Sequence, residues 1–536
     1  MIKWLERKRL VRKGLACDKT RRDVHPDSWR DYLDRSVLVR LLLLAVMLLA
    51  LLGISLWQEM DGHPGRVHIH LLTFLIFLSG VMYVQMDLPE VWQRNSKLLL
   101  LLGSVWANLV LTKALFLWSA TNELIQHEQL YFLAPSAFAP LMASLLLGHR
   151  AGLYAVITYS LLSSFLLMEF NFNLLTVSLI TGFTAVYFSR GSRKRSHLIK
   201  AGVAVGIASF LCAIAYGLVD MGNHNPYSLA QQALIGIFVG IGTALLVSAI
   251  LPIIESLFGI ITDISWIEMA DLNHPLLQQM TIEAPGTYHH SLVVANLAEG
   301  AATAIGLNPT KLRVMAYFHD IGKIIKPEYF TENIPPGENP HANLSPTMSA
   351  LIIIAHVKEG VDLALKFGLR KPIVDAIKQH HGDSLVYYFY RRAKQLEQDA
   401  KEGGRLVNMR EEDIPEVSES SFRYPGPNPQ NKEIGILSLA DTIEAASRSL
   451  EKPTPARIEA FVRDLISQRI KEGILDESQL TLNEIRTASR SFQFTLKSMM
   501  HNRISYPTRE SADEQSKAGE PAKKEPTPAP APPEAA

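Results

Sequence analysis

Eight of the 17 histidines in this 536-residue chain fall between His274 and His381. They concentrate in four short motifs: GTYHHS at 286–291, FHDIGK at 318–323, IIIAHVKEG at 352–360 and KQHHG at 378–382. A further acid, Asp441, lies in LSLADTIEA. Neutral imidazole and carboxylate are ligands for borderline and hard divalent ions such as Fe, Mn and Zn. The adjacent pair His319-Asp320 is the most informative of these. Neighbours on a helix are about 100° apart, so both reach one site only if it lies over that edge. A carboxylate there has two oxygens and can bridge two ions. Gly322 leaves room for close approach, and Lys323, one turn from His319, can bring positive charge to a phosphate.

A lone histidine on an apolar helix is usually a satisfied core residue. Six histidines in four motifs, two of them adjacent pairs, reverse that reading in favour of metal. His289 neighbours His290 but points elsewhere on a helix, which makes it a surface or supporting residue. His274 and His341 stand beside loop residues and read as structural or as the edge of a substrate site. Tyr387, Tyr388 and Tyr390 fit a helical core face better than a base-stacking surface, whereas Arg423 and Tyr424 in FRYPGP are expected to line the pocket and touch substrate.

The elements that carry these motifs read as helices. Ser345-Pro346 opens one through SALIIIAHVKEG, Pro372 opens PIVDAIKQHH with Gly382 closing it, and Thr454-Pro455 opens another to about Lys471. No alternation of period two is sustained, so the second half is expected to be all-α. Side chains from four or five packed helices can converge on one point in such a core. Residues 391–432 are polar and predict a helical extension followed by an ordered loop; 508–536 are Pro, Ala, Glu and Lys and predict disorder.

The first half differs in kind. From Val37 to Leu257 the chain carries only 20 of its 105 charged residues, and mean hydropathy over the whole chain is +0.11. Apolar runs of spanning length recur eight times, near 37–57, 68–86, 97–118, 129–147, 151–168, 172–189, 199–219 and 229–254. A span needs roughly 20 apolar residues. Those at 151–168 and 172–189 are so close that they form either a tight hairpin or one irregular segment. With the N-terminus inside, the inner loops hold Arg94, Lys97, Arg150, Arg190, Arg193, Lys194, Arg195 and Lys200, and the outer loops only Arg66. The first 40 residues add twelve more Lys or Arg, also inside. The expectation is a multi-pass protein of the inner (cytoplasmic) membrane with both termini cytoplasmic. Its parts would be a basic segment at 1–36, a membrane domain of about eight helices at 37–256, an all-α cytoplasmic domain at 257–507 and the tail. Lys113, inside the third span, is expected to find a partner within the bundle. Net charge of +1 gives no case for binding a nucleic-acid polymer, and two cysteines, Cys17 and Cys212, exclude a disulfide scaffold or thiolate zinc cluster.

His290, then His319-Asp320, then Asp441 resembles the H…HD…D signature of HD-domain phosphohydrolases. The words HDIGK, APGTYHHSLVVANLAE, NPHANLSP, QHHG and RYPGPNPQ resemble a narrower group, the seven-transmembrane HD proteins that are PgpH-like membrane phosphodiesterases of cyclic di-AMP. The resemblance implies a dinuclear site, usually of iron or manganese. Its implied ligands are His290, His319, Asp320, His356, His380, His381 and Asp441. Asp320 would bridge; His290, His319 and Asp441 would serve mainly one ion, and His356, His380 and His381 the other. The family usually has a large extracytoplasmic domain between its first span and the following seven; here that interval is about ten residues, Gln58 to Val67.

Two such ions, Mn or Fe, would ready a water for in-line attack on one phosphodiester of a cyclic dinucleotide, opening it to linear pApA. Asp320 and Lys323 are then the catalytic pair, with Lys323 holding a phosphate oxygen or assisting the leaving group. Adenine preference follows from the resemblance alone. The expected partners are the cyclic dinucleotide and the lipid bilayer, with a homodimer left open. The alternatives are hydrolysis of another nucleotide phosphate and a membrane receptor that binds nucleotide without turnover.

Overall fold

The computed structural model describes residues 29–59, 67–122, 130–168, 171–216, 226–335, 337–406, 417–450 and 454–501. The expected disordered tail and most of the basic N-terminal segment lie outside them. The described residues are helical, with no strand and a single isolated antiparallel bridge, Leu385 to Arg423. The chain divides into two compact units, Met1–His274 and Pro275–Ala536.

The first unit contains α1 (Trp29–Arg35), α2 (Val37–Glu59), α3 (Val67–Asp87), α4 (Pro89–Trp92), α5 (Asn95–Asn122), α6 (Leu130–Leu133), α7 (Phe138–Leu147), α8 (His149–Met168), α9 (Phe172–Ser189), α10 (Arg195–Ala215), α11 (Pro226–Phe258) and α12 (Asp263–Met269). Seven of these, α2, α3, α5, α8, α9, α10 and α11, are long and apolar enough to cross a membrane. The run expected to span at 129–147 is instead split into α6 and α7 around Pro135, and α7 has only 10 residues. At about 1.5 Å per residue it is roughly 15 Å long, half a hydrocarbon core. A broken helix in such surroundings leaves backbone groups to be satisfied from elsewhere. Asn108 of α5 does this when its amide is oriented with nitrogen donating to the Pro135 carbonyl (3.0 Å) and oxygen accepting from the Ala139 N–H (3.3 Å). The runs at 151–168 and 172–189 are two separate helices, α8 and α9, and the Asn171 side chain caps the second by accepting from the Leu174 N–H at 2.9 Å. Lys113 is buried within this unit.

The first unit extends past the expected boundary at 256. The buried Glu255 carboxylate accepts from the Thr262 N–H (3.0 Å) and the Ser265 hydroxyl (2.6 Å), and Arg195 pairs with Glu268 at 2.9 Å. These bonds tie α12 back to α10 and α11. Helices α10 and α11 themselves meet through GVAVG at 202–206 and GIFVG at 236–240. A Cβ placed on Gly240 would lie 2.2 Å from the Gly202 carbonyl oxygen, and one on Gly206 2.7 Å from the Ile237 Cα. Small residues at such spacing let two apolar helices pack backbone to backbone.

The second unit contains α13 (Pro275–Glu283), α14 (Pro285–Ile305), α15 (Pro309–Phe318), two 3₁₀ turns (Ile321–Ile325 and Pro327–Tyr329), α16 (Pro346–Lys366), α17 (Lys371–Gln379), α18 (Tyr387–Leu406), a third 3₁₀ turn (Glu419–Phe422), α19 (Lys432–Ser447), α20 (Pro455–Lys471) and α21 (Leu482–His501). The sequence-based starts hold: Ser345 caps α16 and Thr454 caps α20, each followed by proline at the first helical position. Buried Ala298, Leu312, Ile436, Val462 and Phe492 bring α14, α15, α19, α20 and α21 into one core. That core fixes helices from which polar motif residues project, His290 from α14, Asp441 from α19 and His319 from the end of α15. The segment 391–432 also follows expectation where it is described, with α18 running to Leu406 and ordered loop resuming at Val417.

Gly240→Ala is expected to destabilise the detergent-solubilised full chain by about 1–3 kcal/mol, the range for overpacking a tight interface. Gly53→Ala is the control, since a Cβ there meets nothing within 4 Å. Thermal unfolding of both variants checks this: the first should melt lower and the second should not.

Candidate metal centre

Two of the three adjacent motif pairs sit where a helix stops. His319 is the C-terminal cap of α15, with Asp320 in the turn before the 3₁₀ segment; His380 is the cap of α17, with His381 in the turn that follows. His319 and Asp320 are therefore not two neighbours along a continuing helix but lie at a helix end, where a change of backbone direction brings neighbouring side chains to one point. Gly322 permits the turn: a Cβ on it would lie 1.9 Å from the His356 carbonyl oxygen, so the chain presses directly on the backbone of α16. Gly382, at φ +58°, turns the chain after His381.

His290 from α14, His319 and Asp320 from the α15 end, and Asp441 from α19 form one group; Asp320, His356 from α16, and His380 and His381 from the α17 end form a second. Within each group one ligand atom per residue lies within 4.8 Å of all the others. Asp320 belongs to both. Its Oδ2 lies 3.3 Å from the Nε2 atoms of His290 and of His319, while its Oδ1 lies 3.3 Å from His356 Nε2 and 3.6 Å from His380 Nε2. Asp441 Oδ1 is 3.0 Å from His290 Nε2, and its Oδ2 is 3.7 Å from His381 Nδ1.

These atoms fit cations better than they fit one another. The Nε2 atoms of His290, His319, His356 and His380, and Asp320 Oδ1, are buried and have no hydrogen-bond partner among the described residues. Leaving so many buried polar atoms unsatisfied is costly unless something else binds them. The opposite ring nitrogens are engaged. His319 Nδ1 donates to the Ala316 carbonyl (2.8 Å), His356 Nδ1 to Ile353 (2.6 Å) and His380 Nδ1 to Ile377 (2.8 Å). A carbonyl can only accept, so Nδ1 carries a proton and Nε2 is the nitrogen left to face a cation, the orientation a metal ligand needs. Two donors each about 2.0–2.2 Å from a shared ion lie roughly 3.0–3.5 Å apart, and the observed spacings of 3.0–3.7 Å match.

The electrostatics divide the site in two. Burial disfavours charge on His319, but Asp320 and Asp441 outweigh it and push its pKa up to about 9; His290 is raised well above its usual value by Asp320, Asp441 and Glu444 against the same burial. Burial, helped by Lys323 and His380, brings His356 down to about 4, and burial with His380 holds His381 well below the usual range. Asp320 and Asp441 stay ionised against burial because imidazoles, and for Asp320 the Lys323 ammonium, surround them. Without metal, the carboxylate-rich side holds protons that an arriving cation would displace.

Two supporting carboxylates were not foreseen. Glu444 is hydrogen-bonded to His290 Nδ1, so His290 is oriented by a side chain where the other three use backbone. Arg448 holds that carboxylate in turn, donating to Glu444 Oε1 at 2.9 Å from Nη2 and 3.1 Å from Nε. The available signal was spacing: Glu444 is one turn beyond Asp441, and Arg448 one turn further. Glu332 has no such signal. It reaches Lys323 at 2.8 Å from a loop, and Lys323 also contacts Asp320 Oδ2 at 2.7 Å. Lys323 thus already has two carboxylate partners, although it does line the cavity above the cluster.

That cavity has a volume of about 680 Å³ and its wall includes His290, Lys323, His356, His381, Tyr424 and Asp441. It lies within the range of ligand pockets, about 300–1,000 Å³. Tyr424 lines it, buried and stacked on His381 with ring centroids 4.3 Å apart. Arg423 does not. Its guanidinium pairs with Glu419 (2.6 Å) and donates to the Asp383 carbonyl (3.0 Å), and it is not part of the wall. Consecutive residues in an extended segment point to opposite sides, which explains why only one of the two faces the cavity. Tyr387 and Tyr388 are exposed rather than core, while Tyr390 packs edge-on against Phe422. His289 is exposed, as expected. His341 is buried, with Nε2 donating to the Tyr329 carbonyl at 2.9 Å, and it lines the cavity. His274 is half-buried and its backbone N–H donates to the Asp271 carbonyl at 3.2 Å.

Glu444→Gln is expected to weaken binding of one of two metal equivalents by about 10–100-fold, the usual consequence of losing a ligand's orienting carboxylate. Titration of the metal-free full chain with Mn²⁺, followed calorimetrically, checks this; two unchanged binding events would contradict it.

Two family descriptions match the chain: a 7TM receptor with intracellular HD hydrolase over residues 65–262, and the HD domain over 287–446. The first range holds six of the seven long apolar helices and the split α6–α7 segment. The chain is 34% identical over 388 residues to the cyclic-di-AMP phosphodiesterase PgpH of Bacillus subtilis, covering 72% of this chain and 52% of that protein. It is 32% identical over 448 residues to the protein of the same name from Listeria monocytogenes, covering 83% and 59%. The chain thus spans little more than half the length of these relatives. A crystal structure of the L. monocytogenes PgpH HD domain in complex with cyclic-di-AMP is 41% identical, covering 43% of this chain and 99% of that one, with a TM-score of 0.38. With seven helices in one unit long and apolar enough to cross a membrane and an all-helical HD domain in the other, the chain is a multi-pass membrane protein whose two units match these two family descriptions in turn.

Proposed function

We propose that this protein is a metal-dependent phosphodiesterase that opens a cyclic dinucleotide, cyclic di-AMP, to linear pApA at the cytoplasmic face of the membrane. The observation that carries the reading is the convergence of four buried imidazole nitrogens, none with a hydrogen-bond partner among the described residues, around the two oxygens of Asp320. His290, His319, Asp320 and Asp441 would hold one divalent ion, and Asp320, His356, His380 and His381 a second. Mn and Fe suit this imidazole and carboxylate set, which contains no thiolate. Bound there, the pair of ions would supply an acidified water and positive charge at a phosphodiester.

The chain's own residues do the rest. Asp320 keeps its charge because His319 and then Lys323 stand beside it, and Glu332 in turn holds the Lys323 ammonium at the cavity wall. Burial raises the pKa of Tyr424, so its ring stays neutral and shields His381 from water. In the hydrolysis, oxygen of a water bonds to phosphorus, the P–O3′ bond breaks, and a proton ends on the O3′ leaving group. Lys323, on the cavity wall beside Asp320, would carry positive charge to that group. The preference for adenine rests on the names of the two PgpH relatives. The cytoplasmic placement of both termini rests on the loop charges, eight basic residues in the inner loops against Arg66.

The test is turnover by the full chain in detergent with Mn²⁺, with cyclic di-AMP, cyclic di-GMP and mononucleotides offered separately and products separated by chromatography. Linear pApA from cyclic di-AMP is expected, and His319→Ala and Asp320→Ala should each lower turnover by at least about a hundredfold. Tight binding with no product would make the protein a receptor, and full activity in either variant would remove the site.

A further inference from the structure

A cyclic dinucleotide carries two phosphates and two bases, and the metal cluster accounts for only one phosphate. The second bears a full negative charge and needs a partner elsewhere on the cavity wall. Three Lys or Arg side chains line that wall: Lys323, Arg448 and Arg392. Lys323 is held by Asp320 and Glu332, and Arg448 by Glu444. Arg392, half-buried on α18, has no ion pair or side-chain hydrogen bond among the described residues. Glu338 also lines the cavity but does not pair with it. A guanidinium facing a cavity with its donors unused is suited to two-point capture of a phosphate.

One turn earlier on the same helix, at i−4, stands Tyr388. Residues so spaced lie on one helix face, and both line the cavity. Tyr388 is 66% exposed, although its helix begins beside a well-packed core. Its ring is nevertheless mounted: Phe389, itself buried, meets it edge-on at 5.1 Å, and His341 packs against Phe389 at 4.9 Å. An exposed aromatic face beside a free guanidinium is the pairing by which proteins hold a base and its phosphate together.

We propose that Tyr388 and Arg392 form a half-site for the non-reacting nucleotide, Arg392 taking the second phosphate and Tyr388 one face of the base. This rests on the reading of the metal cluster as a cyclic-dinucleotide phosphodiesterase. The pair determines specificity, separating a cyclic dinucleotide from a substrate with a single phosphodiester, and takes no part in bond breaking.

The experiment is steady-state kinetics of the full chain in detergent with Mn²⁺ on two substrates, cyclic di-AMP and bis(p-nitrophenyl) phosphate, which has no second phosphate. Arg392→Gln should raise KM for cyclic di-AMP about tenfold or more, as expected for loss of a charged hydrogen bond, with kcat within about threefold. It should leave kinetics on the small diester unchanged. Arg392→Lys should recover part of the loss. Tyr388→Ala should raise KM for the dinucleotide and Tyr388→Phe should not. An equal loss on both substrates would make Arg392 a structural residue, and unchanged kinetics on both would make it a bystander; either overturns the half-site alone. Wild-type protein that cleaves the small diester but no cyclic dinucleotide would overturn the function on which the half-site rests, and the half-site with it.

Discussion

The second unit is organised around the charge on Asp320. A fully buried carboxylate can stay ionised only if opposite charge or strong donors surround it. Here each of its oxygens faces a different pair of imidazoles, and Lys323 stands against one of them. Four elements must meet at that point: α14 and α16, which present His290 and His356 from within the helix, and the ends of α15 and α17, which bring His319 with Asp320 itself and His380. The contact of Gly322 with the His356 carbonyl brings two of them together, and the common core of α14, α15 and α19 holds the others.

The arrangement also shows why helix ends suit this chemistry. Within a regular helix, adjacent side chains diverge by about 100°. At a C-terminus the next residue leaves the helical path, and two neighbours can point the same way. His319-Asp320 and His380-His381 both use this device, each followed within two residues by a glycine. The last-turn carbonyls, which have no helical partner, then do a second job. Ala316 and Ile377, each three residues before its histidine, accept the Nδ1 proton and fix the ring. Backbone that would otherwise be unsatisfied thereby becomes the outer support of the metal ligands.

Much of this was legible in the sequence because it depends on residue type at short spacing. The seven ligand candidates, the all-helical class and the proline-led helix starts are local signals, and the structure brings those side chains together as their types suggested. Other features depend on tertiary contact and carry little local signal. Glu332 is brought to Lys323 by the path of a loop. Arg423 and Tyr424 share a motif, but an extended backbone sends them to opposite sides. The break at Pro135 was hidden because hydropathy averaged over 129–147 stays high on both sides of it, whereas what decides a span is unbroken helix length. The exposure of Tyr388 was missed for the reverse reason: an aromatic residue near a helix start reads as core unless a cavity is known to lie beside it.

The most direct measurement of the central claim is metal content per chain, by elemental analysis of full-length protein purified in detergent without chelator and then equilibrated with Mn²⁺. If Asp320 joins two cation sites, wild-type protein holds two ions per chain and Asp320→Ala, checked for unchanged helicity, holds fewer than one. Wild-type protein with no bound ion, or an Asp320→Ala variant that still retains two, would contradict it.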